Sequence, residues 1–128
     1  MDINEQKKQE MIDIIYNGVK SMEYFFVPVA QMPNISQQDH QEEQTRIIFE
    51  MLMMPDGSRW FAVFTDIDEY NISGYEQGIR IYYGEMIRAA LMNEDMAGLY
   101  VNPYGEGVQI DKAELLEIFK KIADEGEE

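Results

Sequence analysis

The chain has no cysteine at all. That excludes disulfides, thiolate zinc ligation and thiol catalysis, and it sets the expectation of an ordinary cytoplasmic protein. Imidazole is nearly as scarce. His40 is the single histidine and sits among Gln37, Gln38, Asp39, Gln41 and Glu42, where no rigid scaffold holds it beside a nucleophile, as a general base requires. Basic residues are few: 10 Lys and Arg stand against 25 Asp and Glu, for a net charge of −15. A protein that binds nucleic acid or anionic lipid must replace counterions with clustered Lys and Arg. Here only Lys7-Lys8 and Lys120-Lys121 are paired, so neither nucleic acid nor membrane is an expected partner. No apolar run approaches a membrane span, and the segment from Met1 to Lys8 is polar where a signal peptide would be apolar.

What is present suffices for a folded unit. The chain has 128 residues, 45% hydrophobic and 12% aromatic, so it can bury a core without a covalent staple. No repeat, low-complexity tract or linker divides it, and residues 1–128 are read as a single domain. Met11, Ile12, Ile14, Ile15, Val19 and Met22 recur at helical spacing, predicting an N-terminal helix within 1–22 that buries Ile12, Ile15, Val19 and Met22. Gly18 is expected to loosen or end it.

Tyr24 to Ala30 is aromatic and β-branched and reads as a strand, with Pro28 placing it toward an edge or a bulge. Gln31 to Gln44 reads as a solvated loop. Thr45 to Met54 alternates, with Ile47, Phe49, Met51 and Met53 on one face, and predicts one strand. Pro55-Asp56-Gly57-Ser58 supplies a turn, and Arg59 to Phe64 returns as the second arm of a hairpin. The methionines of the first arm are read as core.

After Phe64 the chemistry changes. Thr65, Asp66, Asp68 and Glu69 offer a capping oxygen and negative charge, which suit the start of a short helix through Tyr70. Ile72 to Gly78 reads as a loop, Ile79 to Tyr82 as a strand, and Gly84 to Met92 as a helix. Gly98 to Asn102 predicts a strand stopped by Asn102-Pro103-Tyr104-Gly105, where Pro103 and Gly105 are expected to set the backbone. A further strand over Gly107 to Ile110 leads to Asp111 and Glu114, spaced as a capping box for a C-terminal helix carrying Leu115, Leu116, Ile118, Phe119 and Ile122. Asp124 to Glu128 is expected to form a frayed acidic tail. The sum is an α+β fold: a mixed or antiparallel sheet with a β-hairpin, flanked by N- and C-terminal helices.

In order and spacing, Phe26-Val27-Pro28-Val29, Trp60-Phe61-Ala62-Val63-Phe64-Thr65-Asp66 and Leu99-Tyr100-Val101-Asn102-Pro103-Tyr104-Gly105 resemble the N-terminal domain of the SseB family. The resemblance covers Tyr24 to Ile122. It implies an α+β domain of bacterial, cytoplasmic proteins without an established enzymatic activity, in a family named for a serine-sensitivity phenotype. Longer members carry a further C-terminal domain, whose roles the resemblance does not transfer.

Three functional readings follow. The first is a non-catalytic protein–protein interaction module with no cofactor and no metal. Its surface would comprise Thr65, Asp66, Asn102, Pro103 and Tyr104, because scaffolds place function on loops at strand ends. The second is a small-ligand sensor or weak hydrolase using Asp66, Asp68 and Glu69, which requires these carboxylates to converge in a pocket. As a cation site the same triplet lacks a calcium loop's glycine and distal glutamate. Ser21, Ser36, Ser58 and Ser73 have no nucleophile-elbow context, and the glycines at 74, 78, 105 and 107 lack a phosphate-loop lysine. The third is an acidic antagonist of a basic protein. Tyr70, Tyr75, Tyr82, Tyr83, Tyr100 and Tyr104 are read mostly as the rim of the core. A homodimer through the methionine-rich hairpin is left open.

Overall fold

A computed structural model of the chain describes residues 3–31 and 48–126. The elements in order are α1 (Ile3–Lys20), β1 (Tyr24–Gln31), β2 (Ile48–Phe49), β3 (Met51–Met53), β4 (Arg59–Val63), α2 (Ile67–Ser73), β5 (Gly78–Tyr82), α3 (Tyr83–Met92), β6 (Gly98–Val101), β7 (Val108–Asp111) and α4 (Lys112–Gly126). The expected α+β architecture is present, with terminal helices flanking sheet and a β3–β4 hairpin. There are two sheets instead of one: an antiparallel β2-β1-β5 and a mixed β3-β4-β6-β7 in which β4 and β6 run parallel. They are stitched together where Phe26 N–H donates to Phe64 O (2.8 Å) and Phe64 N–H to Phe26 O (3.0 Å).

Helices α1, α3 and α4 pack on one another and on β6 and β7. Ile15, Met86, Ile87, Ala90 and Leu115 are buried there against Phe25, Val27, Val63, Leu99, Val101 and Ile110. Each large side chain fully removed from water contributes about 1.5–3 kcal/mol. The reciprocal bonds of the capping box are formed: Glu114 N–H donates to Asp111 Oδ1 and Asp111 N–H to Glu114 Oε1, both at 2.9 Å.

Several local expectations change. Gly18 does not end α1; it is buried, and a Cβ there would lie 2.3 Å from the Tyr83 ring, which stacks on Phe25 at 3.9 Å between centroids. Glycine is present to admit that ring. Met22 lies beyond the helix with φ 59° and is exposed, not inward. β1 is the central strand of its sheet, and its irregularity falls between Val29 and Gln31. Pro28 is tolerated because Val27 pairs with β5 and Val29 bonds to Gln77 just before that strand, leaving the Pro28 nitrogen facing the other way, where Glu50 N–H needs only the Pro28 carbonyl (3.1 Å).

The strand foreseen over 45–54 is broken at Glu50, so β2 joins β1 while β3 joins β4. Met51 and Met53 are exposed, not core. α2 runs on to Ser73, into the expected loop, and stops at Gly74, whose φ of 81° suits glycine. The C-terminal segment is not frayed through Gly126: α4 continues, and Glu125 accepts hydrogen bonds from Tyr16 and from Lys20 (3.1 Å) on α1. Residues 32–47, with His40, Ser36 and most of the expected loop, and residues 127–128 lie outside the described residues.

Candidate functional site

The strand end at Phe64 and the turn after β6 meet. Asn102 takes a left-handed conformation, φ 52°, which asparagine tolerates better than most non-glycine residues. That geometry turns its side chain toward Thr65, and the two form a reciprocal pair. Thr65 N–H donates to Asn102 Oδ1 (3.0 Å), and Asn102 Nδ2 donates to the Thr65 hydroxyl (3.0 Å). The Asn102 backbone is equally occupied. Its N–H donates to Val63 O (2.8 Å), and its carbonyl accepts from Gly105 and Gly107 N–H (3.0 and 2.9 Å).

The capping role falls to Asp66 alone. Its Oδ1 accepts from Glu69 N–H at 2.8 Å, leaving Thr65 free for Asn102. Asp66 and Asp68 are exposed. Glu69 folds beneath the turn, its Oε1 buried without a hydrogen-bond partner among the described residues and 2.4 Å from where a Gly105 Cβ would stand. The Glu69 carboxylate thus packs directly on Gly105, whereas the positive φ values in this turn belong to Asn102 and Gly107. The three carboxylates do not converge.

Aromatic rings complete the patch. Phe64 is fully buried and meets Tyr70 edge-on at 5.6 Å, Tyr75 at 6.3 Å, and Tyr104 in a parallel arrangement at 6.4 Å between centroids. Tyr75 and Tyr104 share a hydroxyl–hydroxyl hydrogen bond of 3.2 Å. Burial, then this bond, pushes the Tyr75 hydroxyl above the ordinary tyrosine range, and burial does the same to Tyr70. Both stay neutral near pH 7; Tyr75 acts as a hydrogen-bonding group, whereas the Tyr70 hydroxyl is buried with no hydrogen-bond partner among the described residues. Tyr104 remains 49% exposed.

Thr65, Asp66, Asn102, Pro103 and Tyr104 thus lie around one junction, as the sequence reading grouped them. That reading missed Tyr75 and Glu69 as parts of it. Glu69 is legible only as part of the acidic turn with Asp66 and Asp68, and Tyr75, in the loop between α2 and β5, has no local signal. Chemically, the junction presents hydroxyls, a capped carboxylate and a half-exposed ring on a hydrogen-bonded frame. A family model of the SseB protein N-terminal domain matches residues 6–117, extending the resemblance back into α1. No curated protein and no solved structure matches the chain.

Proposed function

This chain belongs to the SseB family, and from that premise we propose that it is a non-catalytic protein–protein interaction module whose contact surface is the junction of Thr65, Asp66, Asn102, Pro103 and Tyr104. The observation that carries the reading is the Thr65–Asn102 pair, which fixes two chain-distant segments in one frame and holds Tyr104 half-exposed above buried Phe64. A ring held this way loses little side-chain entropy on contact, which favours tyrosine at interfaces. No described helix is long and apolar enough to cross a membrane. The absence of cysteine and the setting of the family support a cytoplasmic, bacterial location.

The test is site-specific photocrosslinking in cells. A photoreactive side chain in place of Tyr104 should give a discrete adduct with another protein. The same group in place of Glu94, exposed in the turn after α3, should not. Asp66→Ala should weaken the Tyr104 adduct. Equal adducts from both positions, or none from position 104, would defeat the assignment.

A further inference from the structure

Among the described residues β5 is the edge strand of its sheet, and one side of its backbone has no partner there. Val29 N–H donates to Gln77 O (3.0 Å), and Tyr83 N–H to Glu23 O (2.9 Å). With the intervening register of Val27 opposite Ile79 and Phe25 opposite Ile81, the residues that bond to β1 are Gln77, Ile79, Ile81 and Tyr83, because bonded pairs alternate in an antiparallel ladder. The backbone groups of Gly78 and Arg80 and the N–H of Tyr82 therefore point outward. Among the described residues no strand pairs with them.

Natural edges are usually blunted by proline, a bulge or clustered charge. β5 has no proline, its register with β1 is unbroken, and its single charge is Arg80. Beside the edge lies a cavity of about 290 Å³ lined by Phe26, Ile67, Tyr70, Gly78, Ile79 and Arg80. That is at the lower limit for a free ligand and suits one apolar side chain. Arg80 donates to the Tyr24 hydroxyl (2.9 Å), and its guanidinium lies 5.2 and 5.9 Å from the Tyr24 and Phe26 ring centres. No carboxylate of the described residues pairs with it.

We propose that β5 accepts an added strand from a partner protein: an extended segment with apolar residues at alternate positions and a carboxylate opposite Arg80. The free amides and carbonyls supply the main-chain pairing, the cavity takes an apolar side chain, and the unpaired guanidinium selects the acid. A second copy of this chain fits worse, since the register that pairs β5 fully with itself sets Arg80 against Arg80. The proposal goes beyond the junction reading and does not depend on it.

The probe is a short peptide blocked at both ends, with alternating valines around a central glutamate, and amide hydrogen exchange is the readout. In the free protein the Arg80 and Tyr82 amides should exchange fast while those of Ile79 and Ile81 are protected. The peptide should slow exchange at Arg80 and Tyr82. A central lysine should weaken binding ~1.4- to 5-fold, although the net charge of −15 favours the lysine peptide at long range. Arg80→Glu should reverse the preference, and N-methylation of the peptide's pairing amides should abolish protection. The proposal fails if the edge amides are already protected in the free protein, at all concentrations or increasingly as it is concentrated. It also fails if the peptide leaves them exchanging fast, or if glutamate and lysine peptides bind alike.

Discussion

Replacing Asn102 is the sharpest way to test whether the junction is a built structure or two loops that happen to touch. Asn102→Ala removes both hydrogen bonds to Thr65, each worth about 0.5–1.5 kcal/mol net. It also places a residue less tolerant of left-handed geometry at φ 52°, where the general cost for a side chain is about 1–2 kcal/mol. The expected loss is about 2–5 kcal/mol. Asn102→Gly loses the same bonds but accepts the backbone, so about 1–3 kcal/mol should go. Thr65→Ala removes only the hydroxyl acceptor. In the double-mutant cycle of Asn102→Ala with Thr65→Ala, the coupling should be about 0.5–1.5 kcal/mol. Urea denaturation followed by fluorescence of Trp60, the only tryptophan, supplies the measurement. A coupling within about 0.3 kcal/mol of zero, or an Asn102→Gly variant as stable as the parent, would refute the reasoning.

Gly18→Ala should destabilise by about 1–3 kcal/mol through overpacking despite the better helix propensity of alanine, because its Cβ would meet the Tyr83 ring at 2.3 Å; thermal melts decide, and a more stable variant would contradict the packing account. Asp111→Ala should cost about 1 kcal/mol by removing the cap of α4, measured by the same denaturation. The Glu125 carboxyl is held below the usual range, first by the hydrogen bond from Tyr16 and then by that from Lys20. A depressed pKa makes its stabilisation present above the unfolded value and lost as pH falls through the folded one. The melting-point gap between parent and Glu125→Gln should therefore close on acidification through the carboxylate range, and a gap that widens there would be inconsistent with this pairing.

What the sequence made legible was what neighbours in the chain decide. Asp111 and Glu114 cap a helix by reaching three residues, and the turn at Pro55 to Ser58 closes a hairpin by fixing its own dihedrals, so both are visible in a string of letters. Glu50 is different. Its N–H bonds to Pro28 O at 3.1 Å, and that distant demand breaks a strand whose alternation alone runs unbroken. Gly18 reads as a helix terminator because glycine usually is one, yet its reason is Tyr83, a residue in another helix. The candidate site divides along the same line. Asp66 as a cap is a matter of three residues, whereas the Thr65–Asn102 pair spans 37 positions and only the fold reveals it.

A row of aromatic rings joins the two proposed surfaces. Tyr104 contacts Phe64, Phe64 contacts Tyr70, and Tyr70 contacts Phe26, which lies directly across the ladder from Arg80. Phe26 and Phe64 are joined through both their backbone groups, so this row of rings is anchored at its centre, where the sheets meet. Close packing resists gradual deformation. Tyr104 at one end packs on the fully buried Phe64, Phe26 at the other packs on Tyr70, and Tyr70 packs on Phe64, so one packed row joins the junction to the edge of β5 beside its cavity.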